Sequence, residues 1–252
     1  MSLSFRAHQM LGLLRLLGEP GALRAIRTWR PFSVTAFRMT RALHRQGFRF
    51  EGIVDGGANI GQFARAAAET WPTARILSVE PLPDIADRLR DNLASEAPRV
   101  RVTAAALGPA TGTLDFYRTD YSLASSALVP SDRAATRIAV PVVRLDDVLS
   151  EHPLPRPLLV KLDLQGFELE ALRGATATLA RADAVLLETA FQASYADEPL
   201  FRDVLSFMED AGFRFARPVD TLEENGRITQ MDALFVRDER ATTSGGVTPP
   251  AA

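Results

Sequence analysis

The stretch Ile53-Val54-Asp55-Gly56-Gly57-Ala58-Asn59-Ile60-Gly61, running into Gln62-Phe63-Ala64, restricts what this chain can fold into more than any other. An apolar run ends at an acid, a glycine turn follows, and a helical pattern begins. Glycine lets the backbone approach a ligand closely, and asparagine is among the few side chains that tolerate a left-handed conformation, which suits Asn59. A strand-to-helix turn of this kind opens a βαβ unit, and repeated units build a parallel sheet.

From residue 52 the chain continues in that rhythm, with short apolar runs between helical stretches. Candidate strands are Gly52–Asp55, Arg75–Glu80, Val100–Ala106, Leu158–Asp163, Ala184–Glu188, Phe213–Arg217 and Ala233–Val236. Candidate helices are Gln62–Thr70, Asp84–Ser95, Glu168–Leu179 and Leu200–Ala211. The expected fold is α/β, a Rossmann-like, seven-stranded, mostly parallel sheet flanked by helices. Segment 107–157 interrupts it with two strand-like pieces, Gly112–Tyr117 and Ile138–Arg144, which read as an inserted β-hairpin-like segment; a loop region of that size is usually functional. At 252 residues and 46% hydrophobic content the chain can bury one full core. We therefore expect an N-terminal helical cap over 1–50, with Leu11, Leu14 and Leu17 at helical spacing. The Rossmann-like domain follows over 51–238, and a disordered tail over 239–252, dominated from Thr242 onward by Thr, Ser, Gly, Pro and Ala.

The next carboxylate after the glycine turn that ends a strand is Glu80, in Ile76-Leu77-Ser78-Val79-Glu80-Pro81. Its distance from the turn is about the 20 residues expected for an acid that grips a ribose hydroxyl pair. Turn and acid together specify an adenosine-containing cofactor. A dinucleotide would place its pyrophosphate at the turn, where Asp55 repels it, and the turn lacks the third glycine of G-x-G-x-x-G. S-adenosylmethionine carries an ammonium and a sulfonium, which nearby carboxylates attract. Both cofactors remain open on these residues, with charge favouring S-adenosylmethionine. Gly57, Asn59, Gly61, Pro81 and Ala106 complete the expected cofactor contacts beside Asp55, Glu80 and Asp163, with Asp55 and Glu80 as solvent-facing acids before the ligand arrives. Each piece alone has a structural explanation, the turn as a tight βα connection and Glu80 as a helix-entry acid.

Several blocks in order resemble the FkbM-type methyltransferases over roughly residues 50–237. They are Val54 to Phe63, Ser78-Val79-Glu80-Pro81-Leu82, Ala106-Leu107-Gly108, Ser125-Ser126-Ala127-Leu128, Arg144-Leu145-Asp146-Asp147-Val148-Leu149, Lys161-Leu162-Asp163-Leu164-Gln165-Gly166-Phe167-Glu168 with Gly174-Ala175, and Met231-Asp232-Ala233-Leu234-Phe235-Val236. Gly56 stands where an aliphatic residue is more common, and Phe167 where Tyr or Ala is. The resemblance implies methyl transfer to a hydroxyl oxygen of a sugar, glycolipid or natural product, an acceptor class that fold membership alone does not fix.

Methyl transfer from a sulfonium is an in-line displacement, so the protein aligns the partners and removes a hydroxyl proton. Ligands of open α/β sheets collect at the carboxyl ends of the strands, where Asp163 and Glu188 are expected. Lys161 precedes Asp163 by two residues and so points to the same side of its strand. Asp163, Lys161 and Glu188 are the candidate catalytic groups, and Ser125, Ser126 and Tyr195 the candidate acceptor contacts. No metal is expected, since Thr189-Ala190-Phe191 rather than an Asp-Asn pair follows Glu188.

Composition excludes other chemistries. The chain has no cysteine, hence no disulfide, cysteine nucleophile or Cys-ligated zinc, and its three histidines, His8, His44 and His152, are far apart. There is no Gly-x-Ser-x-Gly elbow. A formal net charge of -2 gives no signature of nucleic-acid binding. The run Met10–Leu17, interrupted by Arg15, is too short to span a membrane and a poor signal peptide, so a cytoplasmic location is expected. Residues 1–50 carry nine arginines, among them Arg24, Arg27 and Arg30, against Glu19 alone. That imbalance is either a solvated face or a peripheral contact with an anionic lipid surface at the inner face of the membrane. The rival functions are an NAD-dependent dehydrogenase or epimerase and a catalytically silent binding module on the same fold.

Overall fold

A computed structural model describes residues 21–131 and 134–238. The expectations for Leu11, Leu14, Leu17 and the tail after residue 238 lie outside these. The elements run α1 (Ala22–Thr28), α2 (Val34–Arg45), β1 (Gly52–Gly56), α3 (Gln62–Thr70), β2 (Arg75–Val79), α4 (Pro83–Asn92), β3 (Val100–Thr103), β4 (Ala106–Leu107), β5 (Gly112–Arg118) and β6 (Thr136–Val143). They continue with α5 (Leu145–Glu151), β7 (Leu158–Leu162), α6 (Glu168–Arg173), α7 (Thr176–Arg181), β8 (Ala184–Ala190), α8 (Phe201–Asp210), β9 (Phe213–Glu224) and β10 (Arg227–Arg237).

The main sheet has seven strands in the order β3-β2-β1-β7-β8-β10-β9. All neighbours are parallel except β10, which runs antiparallel to both β8 and β9. Strand order reverses between β1 and β7, both buried along their whole length. This explains why they read as unbroken apolar runs, since helices cover both faces of a parallel sheet. One face packs Phe63, Ala67 and Leu89 of α3 and α4 on Ile53, Ile76 and Leu159, and the cap residues Trp29, Phe37 and Leu43 join that same core. The other face packs Leu145, Leu172 and Met208 of α5, α6 and α8 on Val54, Val160 and Leu187. Phe37 is fully buried, so truncation to alanine removes about 3–5 kcal/mol.

Three boundaries differ from expectation. The strand expected over Val100–Ala106 divides, because β4 leaves the main sheet to pair with β6. With β5, which runs antiparallel to β6, it forms a separate three-stranded sheet, so the insertion is more than a hairpin, and residues 119–135 join its two long strands. The helix expected over Glu168–Leu179 breaks at Gly174, where an added Cβ would lie 2.1 Å from the Gly108 carbonyl oxygen. Finally, β9 and β10 run to 12 and 11 residues and carry the end of the sheet beyond its neighbours.

Candidate active site

The glycine turn is built by close backbone approach. Gly57 has φ 72°, and a Cβ there would sit 1.9 Å from the Asp163 carbonyl oxygen, so only glycine fits between the ends of β1 and β7. Gly61 has φ 96° and lies against Leu89 of α4. Asn59, at φ 47°, accepts the Ile60 N–H through Oδ1 (2.9 Å) and donates through Nδ2 to Ser122 Oγ (3.0 Å). The turn is thereby tied to the 3-10 segment Ser122–Ala124 of the insertion.

Glu80 follows β2 and accepts the Asn59 N–H (2.9 Å) on Oε2 and the Leu82 N–H (3.0 Å) on Oε1. It is buried, not solvent-facing as expected, because these two amides draw it against the backbone. Burial pushes its carboxyl up to about 7, against the lowering pull of the two amides. Asp55 also departs from expectation, being fully enclosed in β1 with Lys161 Nζ 3.4 Å from Oδ1. Burial raises its carboxyl and Lys161 opposes the rise. A balanced Asp55 does little to repel a pyrophosphate, so the preference for a cationic cofactor rests on the acids that do face the cleft.

A cleft opens at the point where strand order reverses. Gly57, Asn59, Glu80, Pro81, Ala106 and Asp163 line it, while Asp55 and Gly61 stand behind the turn. Leu107, Phe116 and Phe167 supply an apolar wall. Of the candidate acceptor residues only Ser125 reaches this cleft, its hydroxyl accepting the Thr119 N–H (3.0 Å). Ser126 is fully buried, donating to the Gln165 carbonyl (2.7 Å) and accepting the Leu128 N–H (2.9 Å). Tyr195 is 2% exposed, with its hydroxyl 2.9 Å from Gln165 Oε1 and 3.1 Å from the Ala124 carbonyl. Both residues brace Gln165 and neither lines this cleft, their loops folding back on each other through the Pro130–Tyr195 bridge.

Gln165 is the residue that sequence reading missed. At φ 55° its carboxamide donates to Asp163 Oδ1 (2.9 Å) and Glu188 Oε2 (2.5 Å), holding two carboxylates together. Its signal was the Gln165-Gly166 pair directly after a buried strand. Lys161, 6% exposed, pairs with Asp163 (3.5 Å) as well as Asp55. Burial works against its charge, but Asp163, Asp55 and Asp232 hold it protonated above the ordinary lysine range. Burial, Asp163, Glu168 and Asp232 raise Glu188 well above the usual carboxylate range. Glu168 accepts the Leu164 N–H (2.6 Å) and is pushed by burial to about 8. A second, wider opening shares Gly57, Asn59 and Asp163 with the first and adds Lys161, Glu188, Asp220 and Asp232. Asp220 and Asp232, also missed, are acids set in the strands β9 and β10.

The class of protein that this fold and site define is a Rossmann-like domain with a partly apolar cleft at its strand-order reversal and an acidic second cleft beside it. The antiparallel β10, inserted between β8 and β9, sets it apart from the dinucleotide order 3-2-1-4-5-6. The chain belongs to the FkbM methyltransferase family: the Methyltransferase FkbM domain matches residues 55–215. Methyltransferase sdnD of Sordaria araneosa is 32% identical over 48% of this chain and 59% of its own length. The 2-O-methyltransferase NoeI of Sinorhizobium fredii is 28% identical over 62% of this chain and 70% of its own. Hexuronic acid methyltransferase AglP of Haloferax volcanii is 28% identical over 53% and 54%. The chain thus spans little more than half the length of sdnD and AglP. Among solved structures, magnesium protoporphyrin IX methyltransferase from Synechocystis PCC 6803 with bound SAM covers 81% of each chain at 11% identity and a TM-score of 0.48.

Proposed function

We propose that the chain is an S-adenosylmethionine-dependent O-methyltransferase acting on a hydroxyl of a sugar, glycolipid or natural product. The carrying observation is that two clefts meet at Asp163, one with the features of a donor site and one open and polar. The residues fit the donor. Each Glu80 oxygen accepts a single backbone amide and keeps lone-pair capacity for a ribose hydroxyl. The wall of Ala106, Leu107 and Phe116 suits an adenine, and the acids at Asp163 suit an ammonium. When bound, the donor supplies an electrophilic methyl group. The protein's own work is to hold Asp163 and Glu188 in one arrangement through Gln165 and to exclude water behind the insertion. Glu188 takes the acceptor's proton in its ionised form, in which burial and the neighbouring acids make it a stronger base than an ordinary carboxylate. The names of NoeI and AglP, which specify oxygen and a sugar acid, agree with an oxygen acceptor on a sugar.

The same reading makes transfer independent of divalent metal. Lys161 already places a positive charge within 3.4–3.5 Å of Asp55 and Asp163, where a cation would otherwise be attracted. Methyl-labelled donor, incubated with a panel of glycosides before and after dialysis against EDTA, tests both points. Label should pass to an oxygen at an unchanged rate. Activity lost with EDTA and restored by Mg²⁺ overturns the metal assignment, and donor binding without transfer to any acceptor favours the silent module. A peripheral contact with anionic lipid is part of the proposal, supported by exposed Leu23 and Ile26 on α1 beside exposed Arg24 and Arg27. Among the described residues no helix is long and apolar enough to cross a membrane.

A further inference from the structure

The second cleft is acidic in a way that its strands impose. Asp232 on β10 stands directly opposite Glu188 on β8 and opposite Asp220 on β9, so three carboxylates form one row across three neighbouring strands. Asp163, joined to Glu188 through Gln165, continues the row toward the donor cleft. Like charges directly opposite in a sheet are destabilising, so the fold bears a cost for this row. All four acids line the opening, whose other walls are polar or apolar residues such as Ser33, Gln62 and Gln230. Among the described residues the lone cation lining it is Lys161, and that ammonium is nearly buried and committed to Asp55 and Asp163. Burial first, and then Asp163 and Asp220, raise Asp232 to about 7, while Lys161 opposes the rise.

We propose that this row selects the acceptor by charge: the cleft takes an uncharged or amino-bearing polyhydroxy compound and rejects uronic acids and phosphorylated sugars. Carboxyl groups hydrogen-bond sugar hydroxyls and, where ionised, attract an ammonium, whereas an anionic substituent would bring a further acidic charge among four carboxyls served by one ammonium. Like-charge juxtaposition in a desolvated site is a strong means of rejecting a wrong partner. The inference rests on the methyltransferase reading and adds a substrate class to it, one that differs from the sugar acid in the name of AglP.

Three methyl glycosides with one ring and one changed substituent test it: methyl glucoside, methyl glucosaminide and methyl glucuronide. Their binding is measured by calorimetry on enzyme saturated with S-adenosylhomocysteine, after titration of the donor itself. The glucoside and glucosaminide should bind about tenfold or more tightly than the glucuronide, and the gap should narrow with added salt. In the Asp220→Asn/Asp232→Asn double variant the glucuronide should recover about tenfold. Donor affinity, which these two side chains do not touch, reports that the variant is folded. Equal or tighter binding of the glucuronide by the wild type overturns the inference, as does failure of all three glycosides to bind a donor-competent enzyme. Failure of the donor to bind sinks the methyltransferase reading itself.

Discussion

Gln165 occupies a left-handed conformation that non-glycine residues visit at a cost of about 1–2 kcal/mol, and its carboxamide spends both N–H groups on two acids. Without it, Asp163 and Glu188 would face one another unbridged in the second cleft. Gln165→Leu is expected to lower kcat about 10–100-fold while leaving the donor dissociation constant within about threefold. Tyr195→Phe, which removes one hydrogen bond to Oε1, should cost about fivefold. Steady-state kinetics set against donor calorimetry check this split, and a parallel loss of donor affinity would assign Gln165, which also lines the first cleft, to donor binding or to structure instead. At this scale the sequence showed which residue types converge but not which way they face. That Asp163, Gly57, Asn59 and Glu80 come to one cleft was legible because a strand end, a glycine turn and a spacing define their places. Ser126 and Tyr195 were misread because loop serines and tyrosines look exposed until a second loop packs over them.

Elements were legible where hydrophobic period and glycine punctuation agree, as in β1, α3 and β7. They were misread where a pairing partner far along the chain decides. Nothing in Val100–Ala106 announces that Ala106 and Leu107 pair with Val142 and Val143, and this splits the expected strand. Nor does Thr176–Arg181 disclose that Gly174 must clear the Gly108 carbonyl. The element that carries the membrane proposal is α1, whose outer face combines Leu23 (53% exposed) and Ile26 (37%) with two arginines. Flotation with phosphatidylglycerol vesicles should recover the wild type at low salt and release it as salt rises, with Arg24→Gln/Arg27→Gln binding less. Identical recovery of both proteins at every salt concentration would remove the membrane contact.

Over the whole molecule, buried acids make stability depend on pH in the sense opposite to ordinary acid denaturation. Glu80 and Glu168 are raised from 4.5 to about 7 and about 8, and Asp232 from 3.8 to about 7. Raised carboxyls bind protons more tightly in the folded chain, so their contribution is fully present below about pH 4 and is lost as pH rises through about 7–8. Each kcal/mol shifts the midpoint of a domain this size by about 2–4 °C, so the ligand-free Tm should fall by several degrees between about pH 5.5 and 8.5. Glu168→Gln should flatten that slope, and a Tm that rises with pH in this window would show these acids to be ionised at no cost. The central claim is that the cleft beside Glu80 holds S-adenosylmethionine, and calorimetric titration of that donor into wild type and Glu80→Gln, with NAD as the competing ligand, tests it most directly. The account predicts one donor site in the wild type, no binding of NAD, and an affinity about tenfold or more weaker in the variant, as expected when a charge-assisted hydrogen bond becomes a neutral one. Binding of NAD in place of the donor, or equal donor affinity in both proteins, would contradict it.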